Sequence, residues 1–188
     1  MTEQYNTVKE EYVDSLKEMF TMMGSIPAQI SLIGKKENEE KVIIIHIPLT
    51  AEILESDKTK INFLNKIFPE VIAEANKICT INYVVWAAEA WVRTVDKETT
   101  DEDDLKNWRE IPIDKEALVV IFEGKDFKQT QIFDIKRLGK EVNEKGNLVS
   151  KIDLELDEEL SQANSFIDTN SAGIFNNLYK RVEDATNK

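Results

Sequence analysis

The sequence predicts an α+β protein: a largely antiparallel sheet of about five or six strands, flanked by helices and with helices at both termini. Three observations carry this. Residues 78–95 read as one long strand, Ile-Cys-Thr-Ile-Asn-Tyr-Val-Val-Trp-Ala-Ala-Glu-Ala-Trp-Val-Arg-Thr-Val. Side chains alternate between the faces of a strand, and the middle of this one is apolar on both, as in a strand central to its sheet. Other apolar runs are joined by short charged or glycine-bearing links of the hairpin kind. Few strand–helix–strand crossovers are visible, so a doubly wound parallel sheet is disfavoured.

In chain order, residues 3–23 carry Tyr5, Val8, Tyr12, Leu16, Met19, Phe20 and Met23 at helical spacing. Gly24 is placed to stop that helix. Ile26 to Gly34 and Lys41 to Pro48 read as a hairpin around the charged tip at 35–40, and the Val42-Ile43-Ile44-Ile45 run suits a strand. Thr50 is a candidate N-cap for a helical region striped by Ile53, Leu54, Ile61, Leu64, Ile67 and Phe68. Pro69 inside it must kink the helix or open a new one.

The long strand follows. Its even positions Val84, Trp86, Ala88, Ala90 and Val92 are apolar, whereas its odd positions change from Ile81, Tyr83, Val85 and Ala87 to Glu89, Trp91 and Arg93. An acidic loop spans 96–104. Strands are then expected at Glu116–Glu123, Phe127–Arg137 and Leu148–Leu156. In the last of these Leu148, Ile152, Leu154 and Leu156 share one face, and polar residues fill most of the other. The stripe Ile174, Phe175, Leu178, Tyr179 and Val182 predicts a terminal helix over about 171–184. A single domain is expected over 1–188, with its core at about 26–156.

The 188 residues include 24 Lys and Arg against 36 Asp and Glu, a formal charge of −12. That balance disfavours a nucleic-acid binder, which needs a basic face, and disfavours docking on an anionic membrane. No apolar run is long enough to span a bilayer. Cys79 is the only cysteine, no Asn-x-Ser/Thr acceptor occurs, and the N-terminus lacks the basic-then-apolar order of a signal peptide. Together these features predict a cytoplasmic protein.

Catalytic patterns are sparse. His46, the only histidine, lies in the isoleucine-rich strand. It is either a general base or a structural residue, and a multi-histidine zinc site is excluded. Cys79 reads as a small buried hydrophobe. Asp101-Glu102-Asp103-Asp104 are four consecutive acids. Consecutive side chains point in different directions, so a solvated loop fits them better than a metal site. No phosphate loop, nucleophile elbow or zinc-protease motif occurs. No cofactor or metal is expected.

The remaining cluster is Glu89, Trp91 and Arg93 on one strand face, with Trp108 and Arg109 past the acidic loop. Such a face either packs Trp91 and pairs its charges with neighbouring strands or offers an aromatic and cationic surface to a partner.

The segment Ala88-Glu-Ala-Trp-Val-Arg93, a charged loop and Lys115-Glu-Ala-Leu-Val-Val120 resemble a pattern of small uncharacterised microbial and phage proteins. In these a hairpin and a helix precede a strand carrying Glu-Ala-Trp, and a further strand follows. The resemblance spans about residues 26–136 and implies that element order, with no activity to carry over.

The favoured reading is an acidic, non-enzymatic binding protein that acts through a protein partner or by self-association. A second reading is a small hydrolase-like enzyme using Glu89 with His46, or a metal on the acidic loop. A third is a nucleic-acid mimic that blocks a DNA-binding protein.

Overall fold

The computed structural model describes residues 3–36, 41–92, 113–143, 146–162, 175 and 177–186. Its centre is a six-stranded sheet in the order β2-β1-β3-β4-β5-β6, antiparallel at every pairing. The predicted α+β class is the observed one.

Helix α1 (Glu3–Met23) lies across one face of the sheet. Its buried stripe is Tyr5, Val8, Tyr12, Leu16 and Phe20, none more than 3% exposed. Burial of that stripe, at roughly 1.5–3 kcal/mol per large apolar side chain, holds the helix down. Gly24 ends it as the sequence requires. Its φ of +76° is costly for any residue with a Cβ, and its N–H closes a 2.7 Å bond to the Phe20 carbonyl. Met23, the last residue of the predicted stripe, is exposed.

Strands β1 (Gln29–Lys35) and β2 (Val42–Pro48) form the expected hairpin. The first strand begins three residues later than the apolar run at Ile26, because Pro27 has no N–H for a ladder. Three short helical segments follow: α2 (Ala51–Leu54), α3 (Asp57–Asn62) and α4 (Phe68–Asn76). Thr50 takes the N-cap position of α2 without a side-chain bond, whereas Ser56 and Thr59 form a reciprocal cap on α3. Pro69 opens a new segment. It sits in the first turn of α4, directly after a π-helical turn at Phe63–Ile67 in which the Phe68 N–H reaches the Phe63 carbonyl. Proline cannot supply the next N–H, so the ladder shifts there.

Strand β3 (Thr80–Val92) has β1 on one side and β4 on the other. Its even side chains Val84, Trp86 and Ala88 pack with α4 and the C-terminal helix. Its odd side chains Val85 and Ala87 lie beneath α1. Burial on both faces thus overrides the helix propensity of Ala87 to Ala90.

The sheet continues through β4 (Lys115–Gly124), β5 (Phe127–Val142) and β6 (Leu148–Leu156). Strand β5 runs past Arg137, where the sequence reading ended it. A bulge between Arg137 and Gly139, with φ +102° at the glycine, lets pairing with β6 resume as far as Val142–Leu148. Its pairing with β4 ends at Ala117–Asp134, so the distal halves of β5 and β6 project as a two-stranded ribbon.

A short helix α5 (Glu158–Gln162), which the sequence reading missed, and α6 (Leu178–Thr186) complete the described chain. The predicted stripe of α6 is confirmed at Leu178 and Val182, which are buried against the sheet with Phe175. Residues 163–174, which include Ile174, lie outside the described residues.

Candidate functional site

The site is built at the end of the sheet where α1 stops and the β5–β6 ribbon projects. β3 contributes Glu89 and Trp91 on the α1 face, in line with the buried Val85 and Ala87. Trp91 is the register partner of Glu116 on β4. Arg93, Trp108 and Arg109, the other residues singled out in the sequence, lie outside the described residues, as does the acidic loop.

Arg137 organises this end. Its Nε donates to Glu116 Oε2 at 2.7 Å, its Nη1 donates to the Gly24 carbonyl at 3.2 Å, and its Nη2 lies 3.8 Å from Glu89 Oε2. The guanidinium also stands 5.0 Å over the Phe20 ring. Glu89 in turn accepts the backbone N–H of Ile26. One cation and two carboxylates therefore tie the α1 C-terminus and the chain leading to β1 onto three strands. Glu89 is held by these bonds.

Trp91 behaves differently. It is 66% exposed, so the packed reading of this residue does not hold. Met22, Met23, Leu138, Val142 and Leu148 are each more than half exposed as well. They do not form one patch: Met22 and Met23 end α1, Leu138 sits at the bulge after Arg137, and the Val142–Leu148 pair lies about 20 Å further along the ribbon than the rung of Trp91. A Cβ on Gly24 would meet Ser150 Oγ at 3.3 Å, which sets the end of α1 against the ribbon. The opposite face of the ribbon is polar, with ion pairs Lys136–Glu155 and Lys151–Glu141. The ribbon face toward α1 is mixed, with Ile152, Val142 and Leu148 beside Arg137, Lys140 and Ser150.

His46 is employed elsewhere. The hairpin register sets it opposite Ser31, and its Nδ1 is 2.9 Å from Ser31 Oγ. Ser31 Oγ is also 3.1 Å from the Tyr12 hydroxyl. This Ser–His pair was not legible in the sequence, where the two are separated by a hairpin. Ser31 is completely buried under α1, so no substrate reaches its hydroxyl. Burial lowers the His46 pKa and raises that of Tyr12. The register does not bring His46 to Glu89. Ser31 faces Val85, and Glu89 is four residues further along β3. That offset is about 13 Å along the strands and about 10 Å across them.

Two further charged clusters are structural. Lys115 Nζ bonds Asp134 at 2.8 Å and Asp157 at 2.6 Å, and these bonds raise its pKa. Glu123, buried at the end of β4, accepts the backbone N–H groups of Asn177 at 3.1 Å and Tyr179 at 3.0 Å. It caps α6 from a distant strand, with Lys128 at 3.3 Å. Cys79 is buried, and its pKa is raised by burial. Among the described residues no three His, Cys, Asp or Glu side chains converge as a metal site, and no helix is long and apolar enough to cross a membrane.

No protein-family model matches this chain, and no curated protein or solved structure matches it.

Proposed function

We propose that the protein is a non-enzymatic binding module that docks another protein on the Trp91 end of its sheet. One observation carries this reading: Trp91, on the same face of β3 as the bonded Glu89, is two-thirds exposed. Tryptophan is among the residues most enriched at the energetic centres of protein interfaces, and a large aromatic side chain left in solvent supplies apolar area that a partner can bury. The Arg137, Glu89 and Glu116 network supplies polar groups beside Trp91, as the rim of an interface does.

A photo-crosslinking residue placed at position 91 tests the proposal. The same residue at Glu70, which is exposed on α4, is the control. A discrete protein adduct at position 91, absent from position 70, is expected. Equal labelling at both positions, or none at 91, removes the proposal.

A further inference from the structure

Strand β2 ends the sheet, and among the described residues no segment hydrogen-bonds to its outer side. The phase of its ladder is fixed by the 2.8 Å bond from the Leu49 N–H to the Ala28 carbonyl. Bonding pairs alternate in an antiparallel ladder, so Ile43, Ile45 and Ile47 point their backbone groups at β1. Val42, Ile44, His46 and Pro48 point theirs outward. Pro48, which has no N–H to give, is therefore placed where none is missed.

The usual protections of such an edge are missing. Val42–Pro48 has no bulge against β1 and no charged side chain, and its one proline is the terminal residue. Five of its seven residues are β-branched. Val42 and Ile44 lean toward the α1 layer, and Ile45 and Ile47 toward the other. Ile43 belongs to neither apolar cluster and is only partly buried. The strand thus presents apolar side chains on both faces and a row of unused backbone groups between them.

We infer that β2 pairs edge to edge with β2 of a second copy, about a two-fold axis, to give one continuous sheet. The strand is complementary to itself in the antiparallel sense. With Ile44 opposite Ile44 of the second copy, Val42 faces His46 and Ile43 faces Ile45. Each copy then uses the outward N–H and C=O of Val42, Ile44 and His46, three donors per copy and so six ladder bonds in all. Pro48 falls outside the ladder. An isologous contact of this kind closes on itself and stops at two copies. Seven residues give a contact of about 24 Å in length, at the small end of specific interfaces, and the charge of −12 on each copy opposes it. The dimer is therefore concentration-dependent and strengthened by salt.

The test is sedimentation from about 1 µM to about 1 mM, the range in which small interfaces associate, combined with amide hydrogen exchange. The mass should rise to twice that of the protomer. The amides of Val42, Ile44 and His46 should be protected in concentrated samples and lose protection on dilution. Those of Ile43, Ile45 and Ile47 should stay protected throughout. Ile43→Lys, which changes a side chain outside both apolar clusters, should keep the circular dichroism spectrum and nearly the full melting temperature while abolishing the dimer. Trp91→Ala should leave the dimer intact, which separates this contact from the proposed docking surface. A monomer at every concentration overturns the inference. So does protection of the outward amides that ignores dilution, because the chain would then cover its own edge. A dimer unaffected by Ile43→Lys overturns it as well.

Discussion

Arg137 and Glu89 belong to strands that are not neighbours, yet the guanidinium of one reaches within 3.8 Å of the carboxylate of the other across β4. The contact closes a chain of interactions from the ribbon, through Glu116, to the backbone of Ile26. It makes the end of α1, the entry to β1 and the projecting ribbon a single unit beside Trp91.

Removing the centre of that unit should loosen all three parts. Arg137→Met keeps much of the aliphatic stem and discards the charge. We expect a loss of about 1 kcal/mol, because the cation and Glu116 are largely solvated and only Glu89 is mostly covered. Urea unfolding measures it. Amide exchange should increase at Gly24 to Ile26 before it does so in the sheet centre.

Glu123 anchors the C-terminal helix. Glu123→Ala removes the acceptor of the Asn177 and Tyr179 N–H groups and should cost about 1–3 kcal/mol. Glu123→Gln, which keeps an acceptor oxygen, should cost less. Exchange within Leu178–Thr186 is the readout, and the alanine variant should release this helix ahead of global unfolding.

His46 makes stability depend on acid. Its folded pKa lies below its ordinary value because burial disfavours the imidazolium. The unfolded chain therefore binds the proton more readily, and stability rises with pH through this range. The contribution is complete above the unfolded value of about 6.5 and is lost as pH falls through the folded one. His46→Gln should flatten the melting temperature between about pH 5 and pH 7. An unchanged slope would assign the acid sensitivity to other groups.

Lys115 acts in the opposite sense. The bonds that its ammonium donates to the Asp134 and Asp157 carboxylates hold its pKa above the ordinary lysine value. Its contribution is complete below the unfolded value and is lost as pH rises through the folded one. Lys115→Met should remove part of the alkaline unfolding transition while leaving two carboxylates without their cation at neutral pH. Thermal melts from about pH 8 to pH 11 check both effects.

The parts of the fold that were legible in the sequence are those governed by local chemistry. Tyr83-Val84-Val85-Trp86 specified a doubly buried strand, Gly24 a helix stop, Pro69 a new helical segment, and the alternation from Leu148 to Leu156 a strand with one polar face. The misses are non-local. The extension of β5 depends on a bulge at Gly139, which a lone glycine does not announce. The capping of α6 depends on Glu123, more than fifty residues upstream of its acceptor sites. In the candidate site, Glu89 and Trp91 were picked out as one cluster, but the structure divides their roles. Glu89 is bonded to Arg137 and Ile26, whereas Trp91 is left in solvent. Nothing in the Glu-Ala-Trp order names Arg137 as the partner.

Trp91 is the residue on which the functional account rests. The direct measurement is a binding titration of Trp91→Ala and wild-type protein against the partner captured at position 91, with a thermal melt of each. The account predicts affinity weakened by about 30-fold or more, equivalent to about 2 kcal/mol, and an unchanged melting temperature, because the side chain packs against little. Equal affinity of the two proteins, or a melting temperature lowered as a core truncation of about 3–5 kcal/mol would lower it, would contradict the assignment of this surface to partner binding.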